Sequence, residues 1–315
     1  MKKILILQGG FNEEHEVSIK TANQIKKILK KNKIDFLNLT VNPKKFEKQI
    51  SKYSNKLICF NALHGSFGED GKIQQILKKK NFKYTHSNIS SSKICFNKVK
   101  SKIIIGKNNI PTPSFVKLNA KSLDVENLYK FKKKYKKFII KPNESGSSFG
   151  IKIIKNNKDF NEFLKKINIY KNEISNHNSL ILEKYITGRE LTVSVLDING
   201  KLESLGVTEI SSKRSFFDYK SKYSKGFSKH ILPAKISKKI YKKCLKYALK
   251  SHKVLKCNAI SRSDFIYDNK SNIIYYLETN SQPGLTPISL VPEQALFRSI
   301  SFEKIVLDLI DNYNE

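Results

Sequence analysis

Apolar positions change period several times along this chain, and each change marks an element. The run ILIL at 4–7, closed by Gly9 and Gly10, reads as a short buried strand entering a turn. SIKTANQIKKILKKN spaces its apolar residues by three and four, the period of an amphipathic helix. IDFLNLTV and KLICFNAL then read as strands and KIQQILKKK as a helix. Strands separated by helices over residues 1–96 predict a parallel sheet covered on both faces. In such sheets ligands bind beyond the carboxyl ends of the strands. Two polar loops fall there: GGFNEEHEVS and HGSFGEDG.

From Lys98 to about Lys184 the pattern differs. A lysine-rich helix over roughly 91–107 leads through the extended IPTPSF into a second helix and the strand KKFIIKP. NESGSSFGIKII follows, a small-residue loop between strands, and then SLILEKYITGRELTVSVL, two strands bracketing Gly188. Residues 211–230 carry aromatics and lysines but no apolar period, which predicts a long working loop. A helix over about 236–254, two strand-like runs within 261–286 and a final helix in SFEKIVLDLIDNYN complete the chain.

Those two runs, SRSDFIYDNKSNIIYYLETN, carry the most chemistry. An antiparallel hairpin with Asp264 opposite Glu278 and a loop around 269–273 places Arg262, Asp264, Glu278 and Asn280 on one face. Phe265, Tyr267, Tyr275 and Leu277 then share the other, and Ile266 and Tyr276 fall awkwardly on the polar side. Two carboxylates and an amide oxygen beside an arginine suit Mg²⁺, which completes its shell with water and substrate phosphate. That implies a nucleotide substrate. The alternative is an exposed hairpin with solvated charges.

Composition narrows the field. The chain of 315 residues, 39% hydrophobic, is long enough for two or three domains. No run approaches 18 uncharged apolar residues, so no membrane span is expected. MKKILILQGG has the basic start of an export signal but only four apolar residues before Gln8, and a cytoplasmic protein is expected. Cys59, Cys95, Cys244 and Cys257 form no CxxC pair and read as reduced, mostly buried thiols. The net charge of +33 comes from 60 basic against 27 acidic residues, yet the only arginines are Arg189, Arg214, Arg262 and Arg298. Specific nucleic-acid binding would draw on arginine forks interleaved with aromatics. Lysines spread over helices such as IKKILKKNK and KKIYKKCLKYALK instead suggest a compositional bias, against which each arginine stands out.

Several loops carry candidate chemistry. Glu13, Glu14 and Glu16 before a helix either complement its dipole, with Ser18 as a cap, or bind a substrate ammonium. NESGSSFG contains no GxxxxGK[ST], but its small residues beside Lys141 suit a flexible phosphate lid as well as a plain turn. Glu183 could accept from an adenine amino group and Glu190 from two ribose hydroxyls, or both are glutamates near a turn.

The order of these parts resembles the ATP-grasp enzymes and, within them, the D-alanine–D-alanine ligase family. The motifs that carry it run from GGFNEEHEVS, HGSFGEDG, YTHS and FNKVKSK through KPNESGSSFG, LEKYITGRELTV and FFDYKSKY to SRSDF and LETNSQPGLTPISLVP. The resemblance implies an α/β molecule: an N-terminal parallel-sheet domain over 1–96, then a two-lobed ATP-grasp fold with a central lid subdomain over 97–184 and a C-terminal subdomain over 185–315. ATP would be co-substrate, with two Mg²⁺ or Mn²⁺ on Asp264, Glu278 and Asn280. It assigns Lys98, Lys141 and Lys222 to phosphates, Glu183 and Ile186 to adenine and Glu190 to ribose. Glu14 would orient the first D-alanine ammonium, Arg262 and the Gly284 amide would stabilise the oxyanion, Ser289 with the Leu290 amide would take the second carboxylate, and Ser18 and His64 would also bind substrate. Ser147, Tyr223 and Glu14 would link the lid loops. Tyr223 goes with an amine, rather than a hydroxyl, as second nucleophile. A homodimer supplying cell-wall precursor is implied, with no specific nucleic-acid or membrane partner. Asn97, Ser145, Phe217 and Pro287-Ile288 depart from the usual pattern. An ATP-grasp ligase with another acceptor, and a non-catalytic nucleotide or nucleic-acid binder, are the competing readings.

Overall fold

A computed structural model describes residues 2–123, 125–146, 149–212 and 228–314. Three sheets organise them. The first, in the order β2-β1-β3-β4, is parallel and uses β1 (Ile4–Gly9), β2 (Phe36–Val41), β3 (Ile58–Asn61) and β4 (Lys83–Tyr84). Its period-2 alternation feeds two cores. Ile4 and Ile6 pack with Ala22, Ile25 and Leu29 of α1 (His15–Lys31), whereas Leu5 and Leu7 pack with α2 (Phe46–Ile50) and α3 (Lys72–Lys79). Both faces are therefore covered, as the sequence predicts. The first core also takes in Leu196, Ile260 and Val291, so it continues into the third sheet.

The helix expected over 91–107 is two: α4 (Ile89–Phe96) and α5 (Lys98–Lys107). Between them Asn97 is extended, and its side chain accepts from Lys100 N and caps α5. Ile105 and Ile110, from α5 and its exit, pack in the core of the third sheet.

The second sheet, β5-β8-β6-β7, is antiparallel: β5 (Phe115–Asn119), β6 (Phe138–Pro142), β7 (Lys152–Ile154) and β8 (Ser179–Lys184). β5 emerges from the segment read only as extended. Phe138, Ile140, Leu180 and Leu182 pack against α6 (Val125–Tyr135), α7 (Asn157–Lys165) and α8 (Ile167–Glu173). Alternation sends Ile139, Lys141 and Glu183 to the opposite face.

The third sheet, β11-β10-β9-β12-β13, is also antiparallel: β9 (Arg189–Ile198), β10 (Lys201–Ser212), β11 (Ser228–Ile231), β12 (Ile260–Asp268) and β13 (Ile273–Asn280). α9 (Lys238–Val254) supplies Ile240, Cys244 and Ala248 to its core. α10 (Leu290–Phe297) and α11 (Phe302–Asp311) close the chain. The stretch read as one loop over 211–230 is strand at both ends, since Ser211 pairs with Lys229 on β10 and β11.

The hairpin pairs Asp264 with Glu278 and Arg262 with Asn280, as expected, but a bulge follows: Phe265 pairs with Tyr276, leaving Leu277 extra. One added residue inverts the parity of the rest of the strand. Ile274 and Tyr276, not Tyr275 and Leu277, therefore join Phe265 and Tyr267 in the core, and Leu277 and Ile266 turn to the polar face. The assignment of Tyr275 and Leu277 to the core face is thus corrected, and Tyr276 leaves the polar face.

Candidate active site

A cavity of about 470 Å³ lies between the second and third sheets and is closed on one side by loops of the first. That size falls within the roughly 300–1,000 Å³ of small-molecule sites. Both loops expected at the carboxyl ends of β1 and β3 reach it, through Glu14, His64 and Glu69.

Its deepest end is built on Glu183. β8 carries this carboxylate, 1% exposed, between Lys102 Nζ at 2.5 Å and Lys141 Nζ at 2.6 Å. Each Glu183 oxygen faces its own ammonium, Oε1 that of Lys102 and Oε2 that of Lys141. Burial alone raises a carboxyl, but the two ammoniums outweigh it and hold Glu183 below its ordinary value. Burial lowers Lys102 to about 8 despite Glu183, while at Lys141 the attraction of Glu183 and Glu278 overcomes burial and raises the ammonium. Ile186 and Glu190 line the same end, beyond Gly188. A Cβ on Gly188 would sit 2.4 Å from the Tyr267 carbonyl, so only glycine lets β9 start this close to β12.

Lys98, the first residue of α5, bridges the middle. Its ammonium donates to the Ser145 carbonyl at 2.8 Å and lies 3.4 Å from Glu278. Asn97 donates to Glu144, which ties the start of α5 to the small-residue loop.

On the hairpin, Arg262 Nε and Nη2 donate to the two oxygens of Asp264 at 3.0 and 2.9 Å, and Thr192 Oγ1 donates to Asp264 at 2.6 Å. Asp264 and Glu278 are cross-strand neighbours facing the cavity, and Asn280 Oδ1 accepts from Gln282 N at 2.8 Å. Each carboxylate oxygen has more than one lone-pair site, so these contacts leave a donor set of hard oxygens. That chemistry fits a hard divalent cation.

At the other end Glu14, 7% exposed, presses against two glycines: a Cβ on Gly65 would lie 2.5 Å from Glu14 Oε2, and one on Gly146 3.1 Å. The carboxylate thus faces the small-residue loop at Gly146. His64 meets Thr21 Oγ1 through Nε2 at 3.0 Å and Glu69 through Nδ1 at 3.5 Å. Burial, and secondarily Glu14, push Glu69 upward against the pull of His64. Ser289 Oγ accepts from Thr286 N at 3.1 Å and lies beside Gly284, with Leu290 also lining the cavity.

Fourteen predicted residues thus converge: Glu14, His64, Lys98, Lys141, Glu183, Ile186, Glu190, Arg262, Asp264, Glu278, Asn280, Gly284, Ser289 and Leu290 all line one cavity. Ser18 does not. It lies inside α1, fully buried, and its hydroxyl accepts from Gly9 N at 2.8 Å. The reading of Ser18 as a cap is corrected too, because the cap position is Glu14, which makes no side-chain cap bond. Ser147, Lys222 and Tyr223, with Arg214 and Phe217, lie outside the described residues. Residues not singled out from the sequence include Lys102, Thr192, Glu69 and Glu209, which accepts from Arg189 Nε and Nη2 at 2.7 and 2.5 Å. Arginine scarcity did flag Arg189, whereas Lys102 is hidden in a lysine-rich helix.

Comparison with known proteins agrees with this geometry. Residues 104–311 match the family model described as D-ala D-ala ligase C-terminus. A D-alanine–D-alanine ligase from Pelagibacter ubique is 40% identical, covering 97% of this chain and 96% of the relative. The solved structure of D-alanine–D-alanine ligase from Bacillus anthracis complexed with ATP superposes with a TM-score of 0.80 at 28% identity, covering 99% of this chain and 97% of that one. The VanG D-Ala:D-Ser ligase from Enterococcus faecalis gives 0.79 at 27% identity over 98% of each chain. With an ATP-grasp architecture and near-complete coverage, this chain belongs to the D-alanine–D-alanine ligase family.

Proposed function

We propose that this protein joins two D-alanines into D-alanyl-D-alanine, converting ATP to ADP and phosphate by way of a D-alanyl phosphate. One observation carries the reading: a single cavity holds the buried pair Lys141 and Glu183 with Lys98 toward one end and a carboxylate pair beside an arginine at the other. Those are the charges a polyphosphate and an acyl transfer demand.

In this scheme a carboxylate oxygen of the first D-alanine attacks the γ-phosphorus and ADP departs. The amine of the second then attacks the acyl carbon, phosphate leaves and the amine gives up its proton. Lys98 and Lys141 hold phosphate oxygens, Glu183 accepts from the adenine amino group beside Ile186, and Glu190 takes the ribose. Glu14 orients the first ammonium next to His64. Arg262, its fork fixed on Asp264, and the Gly284 amide stabilise the oxyanion, as preorganised donors do. Ser289 and the Leu290 amide receive the second carboxylate. Asp264, Glu278 and Asn280 would hold divalent ions, Mg²⁺ or Mn²⁺, which supply charge neutralisation at phosphate oxygens. The roles of Ser147, Tyr223 and Lys222 rest on sequence resemblance. We take 1–96, 97–184 and 185–315 as working domains, in a cytoplasmic homodimer that feeds peptidoglycan synthesis.

The test is ADP release from ATP with D-alanine against L-alanine, followed by mass analysis of products from D-alanine offered with D-serine or D-lactate. D-alanyl-D-alanine is expected to dominate. The likeness to a D-Ala:D-Ser ligase makes the serine dipeptide the second reading. A mainly ester product at neutral pH would overturn the choice of an amine nucleophile.

A further inference from the structure

Among the described residues only three lysines are buried: Lys98, Lys102 and Lys141. In a chain carrying 60 basic residues, nearly all of which can stay in water, each buried ammonium needs a reason. Lys98 and Lys141 line the cavity, but Lys102 lies behind it, its side chain 0% exposed. Its ammonium contacts Glu183 at 2.5 Å and donates to the Tyr276 carbonyl at 3.3 Å, over the Tyr276 ring at 5.8 Å.

We infer that Lys102 is a positioning residue that leaves the Lys141 charge uncancelled toward phosphate, by occupying the Glu183 oxygen that Lys141 does not hold. This rests on the reading above that a nucleotide fills the cavity. Glu183 and Lys141 alone form a closed pair, 2.6 Å apart, whose carboxylate cancels the ammonium. Adding Lys102 makes two cations around one anion, a buried group of net charge +1. Lys102 cannot deliver that charge itself, since it does not reach the cavity, so the excess is expressed at Lys141. In a low-dielectric wall such a charge acts on a polyphosphate far more strongly than a surface lysine does. The same contact stops the Glu183 carboxylate from rotating, because each oxygen has its own cation. The groups facing Lys102 are Glu183 from β8, Lys141 from β6, and Glu278 and Tyr276 from β13. Burial lowers its ammonium, Glu183 and Glu278 oppose that, and Lys141 adds to it.

The test uses the full-length chain and inorganic tripolyphosphate, which carries the charge of the nucleotide but no adenine. Lys102→Met should weaken tripolyphosphate binding and raise KM for ATP roughly tenfold, with KM for D-alanine within twofold. The double variant Lys102→Met/Glu183→Gln removes one cation and one anion and so restores the net charge of +1. Tripolyphosphate affinity should return to within about threefold of the unmodified protein, although adenine contact is lost. A merely structural lysine predicts the opposite, a double variant no better than the single one. Lys102→Arg serves where the Met variant folds poorly, and should keep tripolyphosphate affinity. Unchanged affinity in Lys102→Met, or no recovery in the double variant, overturns the inference. Absence of D-alanine-dependent ADP release from the unmodified protein would instead overturn the function proposed above while leaving the tripolyphosphate comparison interpretable.

Discussion

The cavity holds two carboxylate groups treated in opposite ways. Glu183 is sealed at 1% exposure and surrounded by the protein's own cations, Lys102 and Lys141. Asp264 and Glu278, on the hairpin, keep side-chain exposures of 13% and 35% beside Arg262 and Lys98. A fully dehydrated charge must be balanced before any ligand arrives, because the desolvation cost is otherwise uncompensated. A partly hydrated one can wait for a ligand's charge. The Glu183 carboxylate is therefore neutralised within the folded protein, with the excess positive charge at Lys141 facing the cavity, whereas the hairpin carboxylates are left for the reaction.

The sharpest way to break that contrast is at Asp264. Asp264→Asn keeps the shape and the Thr192 and Arg262 neighbours but removes the anion. Turnover should fall roughly a hundredfold or more while the melting temperature changes little, since charge stabilisation by a metal at a phosphoryl oxygen is worth several kcal/mol. Turnover near that of the unmodified protein would end the metal assignment.

Glu183 should behave in reverse. Glu183→Ala strands two ammoniums in a dry wall, and breaking a buried pair in this way costs about 3–5 kcal/mol of stability. Denaturant titration reads it. The pH dependence has a definite sign: the folded carboxyl lies below its unfolded value, so its contribution is present above the unfolded pKa of about 4.3 and is lost as pH falls through the lower folded value. In Glu183→Gln that component of acid sensitivity should vanish. A stability curve with the same slope in both proteins would contradict the picture of a finished cluster.

The contrast also explains what could be read from the sequence. The hairpin register was legible at Asp264 and Glu278 because alternation needs only a period of two. It failed from Leu277 back to Ile273 because a bulge leaves no signature in residue type within an apolar run such as IIYYL. The parallel sheet was legible from ILIL and its following helix. α2 with five residues and β4 with two are too short to display a period, and α10 buries Leu290, Val291, Pro292, Gln294 and Ala295 without an amphipathic stripe. Lys102 stayed invisible for a different reason: burial is a tertiary property, and in so lysine-rich a chain the residue type carries almost no information.

Between the two clusters lies Lys98, and the smallest expected effect tests how firmly it is held. Its ammonium reaches Glu278 on one side and the Ser145 carbonyl on the other, while Glu144 is already engaged by Asn97. The resembling loop more often has glutamate at 145. Ser145→Glu adds a carboxylate to a half-open loop whose neighbour supplies one, so the gain is that of a partly solvated ion pair, up to about 1 kcal/mol. KM for ATP should drop about two- to threefold, with KM for D-alanine unchanged. Equal constants for ATP would mean that Glu144 and Asn97 already fix the loop, and that the departure at 145 is compensated one residue earlier.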